Sequence, residues 1–204
     1  MRGDTAPRQQ AALLDGAVML RAPKGYCIDG DSLHPDSPAF ALIASCGPTK
    51  RQADPDVYPM VVTVSGIAHA GALPEADAVA ALMAPARVLE AINGDGLTLV
   101  HVHGGGPTAA RSDAPGPRAG DDPRHWRAVM QVNGHLLSLA LFAPEGSPLA
   151  DRAGLAVIGA LAEDIRIANA VRTAAPPDTG NAATTGGKGL RGLFGRLSLA
   201  GKTR

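Results

Sequence analysis

Aromatic side chains are scarce in this chain: three Phe, two Tyr and one Trp make up 3% of its 204 residues. That shortage excludes the stacking platforms on which single-strand nucleic-acid binders depend. It also means that a core must be assembled from Ala, Val, Leu and Ile, each burying less area than an aromatic ring. A basic excess is missing as well. Nineteen Lys and Arg balance nineteen Asp and Glu, and the body lacks the basic stripe of a nucleic-acid-binding surface, so nucleic acid is set aside as a partner. No run of 18 or more apolar residues occurs, so no transmembrane helix is written here. The opening stretch MRGDTAPRQQAALLDG lacks the apolar h-region of a secretory signal. As written the chain reads as cytoplasmic, and a start further upstream would move it to the cell envelope. Cysteine is limited to Cys27 and Cys46.

Glycine and proline are plentiful, at 25 and 17 residues, which demands long loops, while the 45% apolar share is enough for one core. Residues 1–15 read as a flexible lead-in. A single domain is expected over residues 16–171, with strands at 17–21 (AVMLR), 40–46 (FALIASC), 60–67 (MVVTVSGI) and 97–102 (LTLVHV). Residues 24–38 read as loop. A helix is expected after Pro74, whose first turn carries Glu75 and Asp77. A second short helix is expected over residues 85–92, with Val88, Leu89 and Ile92 on one face and Asn93-Gly94 as its cap. Residues 104–123 read as an irregular, mobile loop. The sharpest local signal is Asn133-Gly134 between two apolar segments, the signature of a two-residue hairpin turn. That turn pairs Val132 with His135, Met130 with Leu137, Ala128 with Leu139 and Trp126 with Leu141. The opposite face then receives His125, Arg127, Gln131 and Ser138, together with Val129, Leu136 and Phe142. Ser147-Pro148 opens the longest helix, with an apolar stripe at Leu155, Ile158, Leu161, Ala162 and Ile165. Residues 172–204 read as a disordered tail, too poor in apolar area to fold, with a short amphipathic segment at 190–199.

The expected fold is therefore α+β: an antiparallel sheet of about five strands with helices packed on it. The Trp-led strand, Asn-Gly turn, apolar strand, Ala-Pro break and long helix of residues 125–170 resemble the C-terminal half of Mog1/PsbP-like domains, and that resemblance implies the same α+β architecture. The segments RAPKGYCID, AFALIASC, HWRAVMQVNGHLLSLALF and RIAN are similar to a family of alphaproteobacterial proteins without an assigned activity, which therefore supplies no catalytic residues.

Four features carry candidate chemistry. Cys27 and Cys46 form a disulfide if the segments that hold them lie side by side; the alternative is two buried free thiols, as a reducing compartment favours. His101 and His103 share one face of a strand at a spacing that can chelate a transition metal, with His69, His125, His135 or a carboxylate as further donors. The alternative is the polar side of a strand edge. Gly186-Gly187-Lys188 fails as a phosphate loop, since Ala182 and Gly189 stand where a Gly and a Ser or Thr are needed. No G-x-S-x-G elbow surrounds any serine. In the tail, Leu190, Leu193, Phe194 and Leu197 make an apolar stripe flanked by Lys188, Arg191 and Arg196. Such a segment suits an anionic membrane surface or the groove of a protein partner. The sequence thus reads as a non-enzymatic accessory protein recruited through its tail. The alternative is a metal- or small-ligand-binding protein, with or without catalysis, built on His101 and His103. No cofactor is identifiable.

Overall fold

The computed structural model describes residues 8–46, 57–69, 71–104 and 120–174, with side chains through Ala170. By packing, the chain divides into Met1–Val171 and Arg172–Arg204. In order, the elements are β1 (Gln10–Leu13), β2 (Val18–Arg21), β3 (Tyr26–Ile28), β4 (Ala39–Ser45), β5 (Val61–Ala68), α1 (Ala76–Ala81), β6 (Arg87–Gly94), β7 (Leu97–His103), β8 (Arg124–Val132), β9 (His135–Phe142) and α2 (Arg152–Ala174). The fold is α+β. Strands β1 and β2 form a separate hairpin, and the other seven make one sheet in the order β3-β4-β5-β9-β8-β7-β6. Every neighbouring pair in it is antiparallel. Two meanders, β3 to β5 and β6 to β9, are thus joined where β5 lies beside β9. Most of the expected loop at 104–123 lies outside the described residues.

The sheet has seven strands rather than about five, and the strands beyond those expected have separate causes. Strand β1 lies inside the stretch expected to be a loose lead-in, and β3 inside the expected loop 24–38. At four and three residues they are too short for alternation to register. The expected helix over residues 85–92 is wrong: that stretch is β6, paired along its length with β7. Its ladder slips between Val88 and Glu90, leaving Leu89 as an extra residue. Such a bulge breaks the two-residue period, so Val88, Leu89 and Ile92 lose the strand signature and mimic a helical face. Asn93-Gly94 ends this strand instead of capping a helix. The Asn93 side chain still serves a helix, for its Oδ1 accepts the Ala76 backbone N–H at 2.8 Å and so caps α1 from across the chain.

The β8–β9 hairpin has the register that Asn133-Gly134 dictates, with Val132↔His135, Met130↔Leu137, Ala128↔Leu139 and Trp126↔Leu141 paired. Asn133 and Gly134 both take positive φ, 50° and 74°, as this turn requires. Ser147 caps a 3₁₀ turn, Pro148–Ala150, its Oγ accepting the Leu149 N–H; α2 begins just after it. Ile158, Leu161, Ala162 and Ile165 of α2 are buried. They pack on the sheet face that carries Val62, Val64, Leu139 and Leu141, and β1–β2 closes the same core with Leu13, Val18 and Leu20. Asn169 fastens that closure: its Oδ1 accepts the Met19 N–H and its Nδ2 donates to the Met19 carbonyl. On the other face, Val79 of α1 covers Val100, Val102 and Val129 in a second, smaller cluster.

Candidate functional site

The face under α2 takes up His101. Its ring is 5% exposed and lies parallel to the Trp126 indole, with centroids 4.3 Å apart. Nε2 sits 2.9 Å from the Ala150 carbonyl, an acceptor, so this nitrogen carries the proton and donates. Trp126 Nε1 donates to the Asp151 carbonyl at 2.8 Å. The two stacked rings thereby hold the turn that launches α2. His103 is exposed at the end of β7, while His125 pairs beside Val102 and so lies on the opposite face from His101. His135 stands at the other end of the hairpin, its Nδ1 donating to the Asn133 carbonyl at 2.8 Å. Among the described residues no group of three or more His, Cys, Asp or Glu side chains gathers at metal-binding spacing. His101 and His103 stay two positions apart on one face of β7, the first buried and the second exposed.

Cys27 in β3 and Cys46 just past β4 meet at disulfide distance, with Cα atoms 5.0 Å apart. The β3–β4 ladder, with Cys27 opposite Ala44, does the positioning. The Cys46 N–H extends it by bonding the Gly25 carbonyl. Gln9 lies over the pair, its Nε2 within 3.3 and 3.4 Å of the two sulfurs and 2.9 Å from the Tyr26 carbonyl. The tail residues Lys188, Leu190, Arg191, Leu193, Phe194, Arg196 and Leu197 lie outside the described residues.

A second constellation has no motif in the sequence to announce it. His125, Arg127 and Phe142 share the sheet face opposite α2, next to the area that α1 covers. Arg127 is part-exposed, yet its Nη2 is buried and makes no hydrogen bond. Its Nε donates to His125 Nε2 at 3.3 Å, and its Cζ lies 5.8 Å from the centre of the Phe142 ring. The fully buried His125 ring is 5.0 Å from the same phenyl group, with Nδ1 3.5 Å from the Pro123 carbonyl. With Nε2 accepting, the proton belongs on Nδ1. Burial, reinforced by the Arg127 charge, pushes the His125 pKa from its ordinary 6.5 down to about 4, so the ring is neutral at pH 7 and cannot compensate the guanidinium. Burial also lowers the pKa of Arg127, though a guanidinium keeps its charge at neutral pH. By contrast Arg124, at the start of the same strand, is fully engaged: it pairs Asp122 through Nε and Nη2 and Asp151 through Nη1, all at 3.0 to 3.1 Å. Phe142 also walls a cavity of about 260 Å³ together with Ala44, Pro59, Met60, Val61, Asp121 and Pro144. The sequence put Arg127 and His125 on this face as its polar members. The available hint of more was Val129, Leu136 and Phe142 among them, which meant a face partly withdrawn from water.

These features define an α+β protein whose seven-stranded antiparallel sheet carries one long helix on one face and a short helix on the other. No protein-family model matches the chain, and no curated protein does. A solved structure of a mutant of the protein Mog1 is similar to it with a TM-score of 0.45 and 12% sequence identity, over 80% of this chain and 94% of that one.

Proposed function

We propose that this protein is a non-enzymatic accessory binding protein, recruited to an anionic membrane surface by its basic C-terminal tail. The observation that carries the reading is the division of charge along a neutral chain. Through Val171, 18 Asp and Glu outnumber 13 Lys and Arg; beyond it, six basic residues face the single acid Asp178. An acidic body is repelled by an anionic surface, and a basic tail is drawn to it by about 1 kcal/mol per Lys or Arg near the headgroups. Leu190, Leu193, Phe194 and Leu197 recur at helical spacing between those charges, which supplies the apolar face of an interfacial helix. Gly192 and Gly195 each lower helix propensity by roughly 1 kcal/mol, a cost that contact with the lipid has to offset. No helix among the described residues is long and apolar enough to cross a membrane, and the reading needs none.

Removal of residues 186–204 is expected to leave the melting temperature unchanged while abolishing co-sedimentation with vesicles of mixed neutral and anionic lipid. Binding by the full chain is expected to weaken steeply as salt rises, as screening requires. A full-length protein that ignores such vesicles at low salt overturns the membrane reading and leaves the apolar stripe to a protein partner.

A further inference from the structure

We infer that Arg127 anchors a binding subsite for a small organic carboxylate, with Phe142 as its platform and the adjoining cavity holding the apolar part of the ligand. The starting point is a charge without a counter-charge. Buried polar groups in folded proteins are hydrogen-bonded, and buried cations are paired. Arg127 departs from both rules: Nη2 is buried and unbonded, and no carboxylate of a described residue is paired with it. Its one hydrogen bond among the described residues runs from Nε to an imidazole that carries no charge at neutral pH. That bond has a steric consequence. With Nε spent on His125, the guanidinium near the Phe142 ring and Nη2 out of the reach of solvent, Nη1 is the donor left to a ligand. A charged N–H donor forms a short, strong hydrogen bond with a carboxylate oxygen.

Phe142 joins this charge to a hydrophobic space. The same ring that lies 5.8 Å from Cζ of Arg127 walls the cavity of about 260 Å³, and most of the other wall groups are apolar, namely Ala44, Pro59, Met60, Val61 and Pro144. That volume lies below the roughly 300–1,000 Å³ of drug-sized sites, which limits the ligand to a short chain or a single ring. The Arg127 charge draws the carboxylate to its own end and leaves the apolar group to the cavity. Arg127 is part-exposed, which leaves an approach from solvent. The subsite is independent of the tail and of its membrane role.

The test is calorimetric titration of the full-length protein at pH 7 with sodium hexanoate, against hexan-1-ol as its uncharged counterpart and sodium chloride as a salt control. Hexanoate is expected to bind saturably with one site per chain, and hexanol about tenfold or more weaker, as loss of a charge-assisted hydrogen bond requires. Arg127→Gln is expected to abolish the difference between the two probes, and Arg127→Lys to keep part of it. Equal binding of acid and alcohol by the unmodified protein, or no saturable binding of hexanoate, overturns the proposal without reliance on any variant. So does an Arg127→Gln protein that folds and still prefers the acid.

Discussion

His125 and Asp122 sit three positions apart on either side of Arg124, and the fold moves their proton affinities for different reasons. His125 loses affinity because its imidazolium form would be buried, beside the Arg127 charge. Asp122 is lowered to about 2 chiefly because the Arg124 side chain donates to it. Both shifts make acid destabilising, in separate windows. For His125 the folded value of about 4 lies below the ordinary 6.5, so the unfolded chain binds the extra proton between them. Stability is therefore complete above about pH 6.5 and falls as the pH drops to about 4, by roughly 3 kcal/mol. Asp122 keeps its contribution until the pH falls below its ordinary 3.8 and loses it through about 2. Urea denaturation at pH 7 and pH 4.5 is expected to show the first loss in the native sequence and a much flatter profile in His125→Gln. An unchanged slope in that variant removes His125 as its source.

At the scale of elements, how well each was legible follows from how local its cause is. The β8–β9 hairpin was readable down to its register because Asn133-Gly134 fixes the turn, and alternation on both sides agrees with it. The stripe of α2 was readable for the same reason, since a helix of 23 residues repeats its pattern several times. Strand β6 was not. Its bulge at Leu89 shifts the phase of its apolar residues, and only hydrogen bonding to β7, a neighbour across Asp95-Gly96, makes it a strand. The consequence reaches α1, whose first N–H is taken by the side chain of β6 Asn93 because Glu75 at the cap position makes no side-chain bond. Asn93→Ala is accordingly expected to cost about 1 kcal/mol, the usual loss for an N-cap oxygen. Hydrogen exchange should localise the effect to residues 76–81 and spare β8 and β9. Protection lost uniformly across the sheet would mean that Asn93 supports β6 itself.

For the whole molecule, the two cysteines tie the short strand at one edge of the sheet to its neighbour. Strand β3 is three residues long and stands at the end of the seven-strand order, and Cys27 and Cys46 are 19 positions apart in sequence. Oxidised, they close a loop that the chain-entropy account values at about 3 kcal/mol, a large share of the marginal stability of a domain this size. We expect Cys27→Ser with Cys46→Ser to lower unfolding free energy by about that amount. We also expect denaturing alkylation of native-source protein without reductant to label neither cysteine. Labelling at both shows free thiols, and a stability unchanged by the double substitution shows that the edge is held without them.

The sequence by itself determined what depends on neighbours along the chain: the Asn-Gly turn and its register, the stripe of the long helix, and the charge division between body and tail. It also delivered the α+β class, because alternating segments outnumber helical ones and the turns between them are short. Only the tertiary structure decided what depends on distant partners. It added β1, β3 and β6 to the strands, and it put His101 against Trp126 and the Ala150 carbonyl. It also left the Arg127 guanidinium half-buried near Phe142, with no carboxylate partner among the described residues. Spacing can place a side chain on a face of a strand, but what covers that face is settled by segments far away in sequence. Burial, and with it protonation and the need for a counter-charge, therefore appears only once the chain has packed.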